Sequence, residues 1–274
     1  DWPNFRWQSD KLLMLLGECH LAQGKLLSKV AELGFSIEQQ AQAEILTEET
    51  LKTAAIEGEI LDVRTVRSSV ARILGLPSAG LPVDRHVEGL VSVLFDATQN
   101  YDNPLMEERL CGWQAALYPT GYSGMHKIKV GEWRGDKPMR VVSGPVGRET
   151  IHFEAPPADG IAVEIRRFLD WWEESRSNTE GLIRAAIAHF WFVTIHPFED
   201  GNGRIARALT DMALSQDDRQ RVRYYSLSSQ IMSEREVYYN VLEHCQKRDV
   251  EITEWLVWFL GCFSRAVQRS ERLL

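Results

Sequence analysis

Cysteine is scarce in this 274-residue chain, and the four that occur, Cys19, Cys111, Cys245 and Cys262, are far apart. None belongs to a Cys-x-x-Cys pair or stands beside a histidine at zinc-ligand spacing, which argues against a zinc site of that kind and against a disulfide framework. Scattered free thiols are typical of proteins from a reducing compartment. The sequence therefore predicts a cytoplasmic protein.

Long apolar runs and an excess of basic residues are also missing. No run reaches the ~18 apolar residues that a bilayer-spanning helix needs, and the first residues, DWPNFRWQSDK, lack the layout of a signal peptide. We therefore expect no membrane partner. The chain has 31 Lys and Arg against 39 Asp and Glu, a net charge of −8. Because phosphate backbones are bound by clustered positive charge, the composition gives no direct evidence for a nucleic-acid partner.

Helical periodicity is what the chain does have. The predicted helices cover about 9–31, 36–57, 62–74, 84–98, 105–116, 160–174, 180–195, 203–215, 234–246 and 253–269. Between Gly121 and Pro157 the pattern changes, and MRVV and ETIHFEA on either side of SGPVGR predict two strands joined by a turn. The sequence thus predicts an all-α protein with one small β-hairpin, and residues 1–45 as an N-terminal helical region.

One segment, HPFEDGNGRIAR, follows a run of almost pure hydrocarbon, IRAAIAHFWFVTI. Apolar residues on nearly every face predict a buried helix, and Pro197 disfavours the α conformation at His196, so the helix should end there. Gly201 and Gly203 allow a tight turn that brings backbone amides close to a ligand. The next helix then begins with free amides and the positive end of its dipole, which favour an anion such as phosphate.

The polar residues of this segment suit phosphate chemistry. Arg204 and Arg207 are three residues apart, so they share one face of the first helical turn and can clamp a polyphosphate. Asp200 can hold a Mg²⁺ ion that bridges phosphate oxygens, and Asn202 can donate a hydrogen bond to one of them. His196 is a candidate general base. Together these groups suit attack by a protein hydroxyl on a nucleotide phosphate.

The pattern HPF-x-DGNGR-x-x-R resembles the core motif of Fic-domain enzymes, and every motif position matches. The resemblance implies a helical Fic fold and the transfer of AMP from ATP to a Ser, Thr or Tyr hydroxyl of a target protein, with release of pyrophosphate. It implies that His196 is the base and that Asp200 carries Mg²⁺. The nucleotide-binding residues that it implies in this motif are Phe198, Gly201, Asn202, Gly203, Arg204 and Arg207, the last of which would hold the γ-phosphate.

A second stretch, TAAIEG, resembles the inhibitory pattern Ser/Thr-x-x-x-Glu-Gly/Asn of the same family. Thr53 and Glu57 are one helical turn apart and hence on one face, and Gly58 can adopt the left-handed conformation that closes a helix. The resemblance implies that Glu57 pairs with Arg207 and blocks the γ-phosphate position. It also implies a Fic domain over 46–274, with the inhibitory helix at about 46–58.

Two further sites follow from the resemblance. MRVVSGPVGRETIHFEA matches the family's flap, at about 138–155, where an extended target segment would add as a strand. EREVYYNVLEHCQ resembles the helix on the adenosine side, which would bring Tyr239 to the adenosine. Gln246 falls where relatives often have an asparagine. Self-modification and pairing of two copies both stay open.

Two rival functions use the same residues. Glu57 can orient a water molecule that removes AMP from a modified target, which would make the protein a hydrolase. Alternatively, the chain is a nucleotide-sensing regulatory module that signals through a further domain, since many such proteins continue into a winged helix and this chain ends at Leu274. Transfer of another nucleotide, such as UMP, is also open, because the base pocket cannot be deduced from sequence.

Overall fold

The computed structural model describes residues 2–32, 35–78, 80–135, 139–143 and 150–273. Most of them are helical, in agreement with the predicted class. The helices are α1 (Asp10–Ala31), α2 (Phe35–Ile56), α3 (Val63–Ile73), α4 (Arg85–Gln99), α5 (Glu107–Leu117), α6 (Ile161–Glu174), α7 (Gly181–Ile195), α8 (Asn202–Asp218), α9 (Leu227–Ser233), α10 (Arg235–Gln246) and α11 (Thr253–Leu273). In the described part of the chain, no helix is both long enough and apolar enough to cross a bilayer.

The ends of α2 and α3 are set by capping residues in the sequence. Asp62 begins α3, because its carboxylate accepts a hydrogen bond from the Thr65 N–H at 2.9 Å. Helix α2 is followed by Gly58 with φ of 87°, and the Glu59 N–H donates to the Ala54 carbonyl at 3.0 Å. This arrangement is a Schellman motif, which satisfies the last carbonyls of a helix. The direction in which the chain leaves α2 is therefore fixed.

Helix α7 lies at the centre of the molecule. All of its side chains are buried, because it packs against α6, α8 and α11. Helix α4 covers another side of α8, and α1 lies along α11. Burial on all sides explains the unbroken apolar composition of α7. It also gives the C-terminal end of α7 a rigid position beside the start of α8.

The β structure consists of two antiparallel pairs: β1 (Tyr122–Ser123) with β2 (His126–Lys127), and β3 (Arg140–Ser143) with β4 (Thr150–Glu154). The second pair is the predicted hairpin, and its register shifts between Val141 and Val142. The predicted turn, SGPVGR, covers 143–148, of which 144–148 lie outside the described residues. The first pair was not predicted, because two-residue strands are too short to show an alternating pattern.

Helix α9 was also missed. It has seven residues, and its start is set by Ser226, whose hydroxyl accepts from the Ser229 N–H at 3.0 Å. So short a helix shows little more than one apolar repeat, which is why periodicity failed to detect it. The boundary expected between 45 and 46 falls inside α2, and the division into an N-terminal region and a main domain stays a proposal.

The crossing of α4 and α5 leads to a test of packing. A Cβ atom added at Gly89 would stand 1.8 Å from the backbone oxygen of Ala116. We expect Gly89→Ala to lower the free energy of unfolding by about 1–3 kcal/mol, because a helix backbone cannot move aside like a side chain. Gly17, on the exposed face of α1, has no atom within 4 Å of its added Cβ, so Gly17→Ala should raise stability by about 0.5–1 kcal/mol. Urea denaturation measures both, and equal effects would contradict the packing argument.

Candidate active site

The connection from α7 to α8 begins with an unusual backbone. His196 has φ of 52° and ψ of 58°, in the left-handed region, which costs a residue with a side chain about 1–2 kcal/mol. Its N–H still donates to the Phe192 carbonyl at 3.0 Å. The chain therefore turns sharply at the last residue of a rigid helix, and the imidazole is held at that corner.

Asn202 and Phe198 fix the loop from inside. The Asn202 side-chain oxygen accepts from the Phe198 N–H at 3.0 Å, and its side-chain nitrogen donates to the Phe198 carbonyl at 2.9 Å. The Phe198 ring is fully buried, 4.9 Å from the ring of Trp133. In this structure both residues shape the backbone that a nucleotide would meet.

The two glycines of the motif lie under neighbouring side chains. Gly201 has φ of 90°, and a Cβ there would stand 3.1 Å from the ring of Tyr118. A Cβ on Gly203 would stand 2.1 Å from a carboxylate oxygen of Glu57. The Glu57 carboxylate therefore lies directly on the first turn of α8, where the free amides and the helix dipole favour an anion.

Arg207 is the most deeply buried charge of the motif, with 2% of its surface exposed. Its Nε donates to the Thr53 hydroxyl at 2.6 Å, and its Nη2 donates to the Thr53 carbonyl at 3.0 Å and to Glu57 at 2.6 Å. Burial acts against the charged guanidinium, but the Glu57 carboxylate holds the pKa of Arg207 above its ordinary value. Its Nη1 is buried and has no hydrogen-bond partner.

Arg204 is held in a similar way by residues that sequence reasoning missed. Its Nη1 donates to Glu59 at 3.0 Å, and its Nη2 donates to the hydroxyl of Tyr118, whose ring lies 5.1 Å from the guanidinium carbon. The Nε of Arg204 is buried without a partner. Glu59 follows the inhibitory pattern directly, as the second glutamate of EGE, whereas nothing near Tyr118 in the sequence indicated its role.

Helices α2 and α8 face each other in antiparallel register. Glu57 lies on Gly203, and Thr53 contacts Arg207. One turn further, Glu49 and Asp211 line the same small cavity. Burial raises the pKa of both of these carboxyls, and the charge of Glu49 adds to the rise at Asp211.

Asp200 lies at the open side of the loop and is half-buried. One of its oxygens accepts from the Ser123 hydroxyl, and the other accepts from the Gly201 N–H at 2.6 Å. Within the described residues, no group of three or more His, Cys, Asp or Glu can hold a metal by itself. A cation at Asp200 would thus need further oxygen ligands from a bound phosphate, which is how Mg²⁺ is commonly held.

The imidazole of His196 is oriented by the end of its own helix. Its Nδ1 lies 3.2 Å from the Val193 carbonyl oxygen. Because a carbonyl accepts only, Nδ1 carries the hydrogen in the neutral ring and Nε2 is the basic atom. Burial lowers the pKa of His196, and the positive charge of Arg134 acts in the same direction.

The two residues expected on the adenosine side lie in different surroundings. The Tyr239 hydroxyl donates to the carbonyl of Ile56 at 3.3 Å, at the end of α2. Gln246 donates to the Thr194 hydroxyl at 3.1 Å. It lines a cleft of about 620 Å³ between the N-terminal segment, the end of β4 and α10. The structure therefore brings together all the motif residues and Thr53, Glu57 and Tyr239, while Gln246 borders the adjoining cleft.

Two families match parts of the chain. Residues 104–214 match the Fic/DOC family, and residues 1–76 match a domain of unknown function, DUF4172. The protein adenylyltransferase Fic of Drosophila willistoni is 28% identical over 198 residues, which are 70% of this chain and 36% of that protein. The protein adenylyltransferase fic-1 of Caenorhabditis elegans is 42% identical over 55 residues, 20% of this chain and 11% of the relative. The chain spans about a third of the length of the Drosophila relatives.

Solved structures share the fold. A Fic family protein from Desulfovibrio desulfuricans G20 superposes with a TM-score of 0.71 at 22% identity, over 96% of this chain and 74% of that one. The Caenorhabditis elegans Fic-1 structure has a TM-score of 0.65 at 18% identity, over 94% of this chain and 72% of the other. Similarity at this level of identity shows the fold alone.

The environment of His196 leads to a titration test. Because burial lowers its pKa, we expect the ring to remain neutral below the ordinary histidine pKa of about 6.5. Histidine NMR resonances followed against pH measure the midpoint, and His196→Ala identifies the signal by its loss. A midpoint above 6.5 would contradict the proposed environment.

Proposed function

Because residues 104–214 match the Fic/DOC family and the fold is that of Fic proteins, we propose that this chain is a self-inhibited protein adenylyltransferase. It transfers AMP from ATP to a Ser, Thr or Tyr hydroxyl of a target protein and releases pyrophosphate. One observation carries the proposal: two buried arginines, each with an unpartnered donor nitrogen, meet at the N-terminus of α8 beside the loop that begins at His196. Such a site suits a polyphosphate.

His196 is the base in this proposal. The target hydroxyl gives its proton to Nε2 of His196, and its oxygen forms a bond to the α-phosphorus of ATP. The bond from that phosphorus to the oxygen bridging the α- and β-phosphates breaks, and pyrophosphate leaves with the electron pair. A lowered pKa keeps the imidazole neutral and hence able to accept the proton.

The phosphates are held by the loop and its two arginines. Gly201 makes the turn that lets the backbone approach the phosphates, and Gly203 and the loop backbone shaped by Asn202 and Phe198 offer amides at the start of α8. Arg204 holds the α- and β-phosphates and Arg207 holds the γ-phosphate. Asp200 would hold Mg²⁺ together with phosphate oxygens, since a single half-buried carboxylate suits an ion that takes its other ligands from the nucleotide. Neutralisation of phosphate charge is what the ion would supply there.

The remaining substrate contacts are assigned by position. Tyr239 contacts the nucleoside, and the cleft next to Gln246 receives the base. The target chain adds as a strand to the β3–β4 hairpin, which within the described residues is a two-stranded sheet. The exit of this hairpin at Pro156 is hydrogen-bonded to Arg134, which also contacts the His196 carbonyl. This link supports a target hydroxyl presented to His196.

Self-inhibition comes from two glutamates at the end of α2. Glu57 lies on Gly203 and pairs with Arg207, so a γ-phosphate and this carboxylate compete for one guanidinium. Glu59 pairs with Arg204, which the α- and β-phosphates require. Because the Schellman motif fixes the backbone here, both carboxylates are presented together. ATP can then bind only in an unproductive pose.

We expect Glu57→Gly to raise AMP transfer about 5- to 150-fold, as expected for a coupling free energy of 1–3 kcal/mol. The measurement is incorporation of label from α-³²P-ATP with Mg²⁺, into the protein itself and into lysate proteins identified by mass spectrometry. Glu44→Gln, an exposed site on the same helix, is the matched control and should change nothing. Adding His196→Ala should abolish transfer.

Failure of the Glu57→Gly variant to label any protein, itself included, would overturn the transferase. A pre-adenylylated target tests the rival hydrolase: release of AMP by the unaltered chain that is lost in Glu57→Gly would favour it. Tight ATP binding without transfer would favour the nucleotide-sensing module.

A smaller effect is expected for Glu59→Gln. Its side chain is 39% exposed, and exposed ion pairs contribute only about 0–1 kcal/mol. We expect the KM for ATP to fall by at most about fivefold, because Arg204 is freed for the phosphates. The fall in KM should also occur in the Glu57→Gly background, since Glu57 and Glu59 pair with different arginines. Unchanged KM in both backgrounds would show that Glu59 has no inhibitory role.

A further inference from the structure

Arg134, in the segment between β2 and β3, is buried with 5% of its surface exposed. All three of the contacts described for it are to backbone carbonyls. Its Nε donates to the His196 carbonyl at 2.8 Å, its main-chain N–H donates to the Pro197 carbonyl at 2.9 Å, and its Nη2 donates to the Pro156 carbonyl. One residue thus joins the corner at His196 to the end of the β3–β4 hairpin.

The corner at His196 needs such support. A left-handed non-glycine residue persists only when its surroundings hold it, at a cost of about 1–3 kcal/mol. Pro197 has no N–H and cannot tie the turn to a neighbouring carbonyl. Arg134 instead binds the carbonyls on both sides of the Pro197 ring, and neighbouring Trp133 packs on Phe198 at the next position of the loop. The conformation of the base is therefore fixed from outside its own helix.

We infer that Arg134 is a positioning residue: it holds the backbone of His196 so that the imidazole meets a hydroxyl presented by a target strand on the β3–β4 hairpin. The inference rests on the proposed function. The proposed role of Arg134 has two parts. The guanidinium fixes the His196 corner, and through Pro156 it fixes the distance from that corner to the hairpin that carries the target.

Half-buried Arg109 also binds backbone carbonyls, at a place without proposed functional residues. Arg109 donates to the carbonyls of Asn103 and Asn100 and pairs with Asp96, which ties the loop between α4 and α5. Loss of Arg109 removes a clamp of the same chemical kind. It is therefore a matched control for general loss of stability.

The test compares Arg134→Met, Arg134→Lys and Arg109→Met in the Glu57→Gly background. We expect Arg134→Met to lower kcat for AMP transfer about 10- to 100-fold, the scale of a displacement near 1 Å. The KM for ATP should change less than about threefold, because Arg134 contacts none of the proposed phosphate-binding side chains. Arg134→Lys should recover part of kcat, since an ammonium can reach a carbonyl. Arg109→Met should leave kcat within about twofold.

A second measurement does not depend on activity. In the otherwise unaltered chain, Arg134→Met or Arg134→Lys should shift the imidazole NMR signal of His196. The same substitutions should leave the imidazole NMR signal of His189 unchanged, because that ring contacts Thr210 and Tyr238. Labelling absent even from the Glu57→Gly parent would overturn the proposed transferase, and the NMR shift would then decide on Arg134 alone.

Three results would overturn the role of Arg134: an unmoved His196 signal in both variants, an unchanged kcat, or an equal loss of kcat in Arg109→Met. A rise in the KM for ATP with kcat constant would also overturn it, because it would assign Arg134 to nucleotide binding. If Arg134→Met does not fold, the Lys variant provides both measurements.

Discussion

The buried guanidinium of Arg207 is the constraint on which the site depends. Arginine stays charged in proteins, and a buried charge must be matched by acceptors or it destabilises the fold. Three of its hydrogen bonds reach Thr53 in α2 and Glu57 directly after it. In the proposed function the same charge is both a ligand for phosphate and a tether for the helix that blocks phosphate, and the two uses exclude each other.

The C-terminal half of α2 is anchored, so the proposed inhibitory contact is a local event on a fixed element. Glu49 accepts hydrogen bonds from the Ser226 and Ser228 side chains at the start of α9. At the C-terminal end of α2, Arg235 donates to the Ile56 carbonyl at 2.7 Å. Because α2 is anchored on both sides of Thr53, loss of the Glu57 carboxylate alone would remove that partner of Arg207 without requiring the helix to leave.

The site is completed by groups that lie far from the motif in sequence. Tyr118, directly after α5, supports Arg204; Ser123 binds Asp200 from the β1–β2 pair, and Arg134 holds the corner at His196. Each acts through a motif residue, and each comes from a segment that precedes α7. The motif provides the chemical groups, and these segments give the groups their orientation.

Sequence alone was sufficient for the class of fold, for nearly every long helix and for the elements that flank the motif, because these depend on local periodicity, caps and the two glycines. It also placed Thr53 and Glu57 on one face of a helix, which follows from helical spacing. It could not find Glu59, Tyr118 or Arg134 as partners of the motif, nor α9, because no periodic signal marks a single side chain or one short helix. Which carboxylate meets which arginine was decided by the antiparallel register of α2 on α8, and that register results from the packing of the whole molecule.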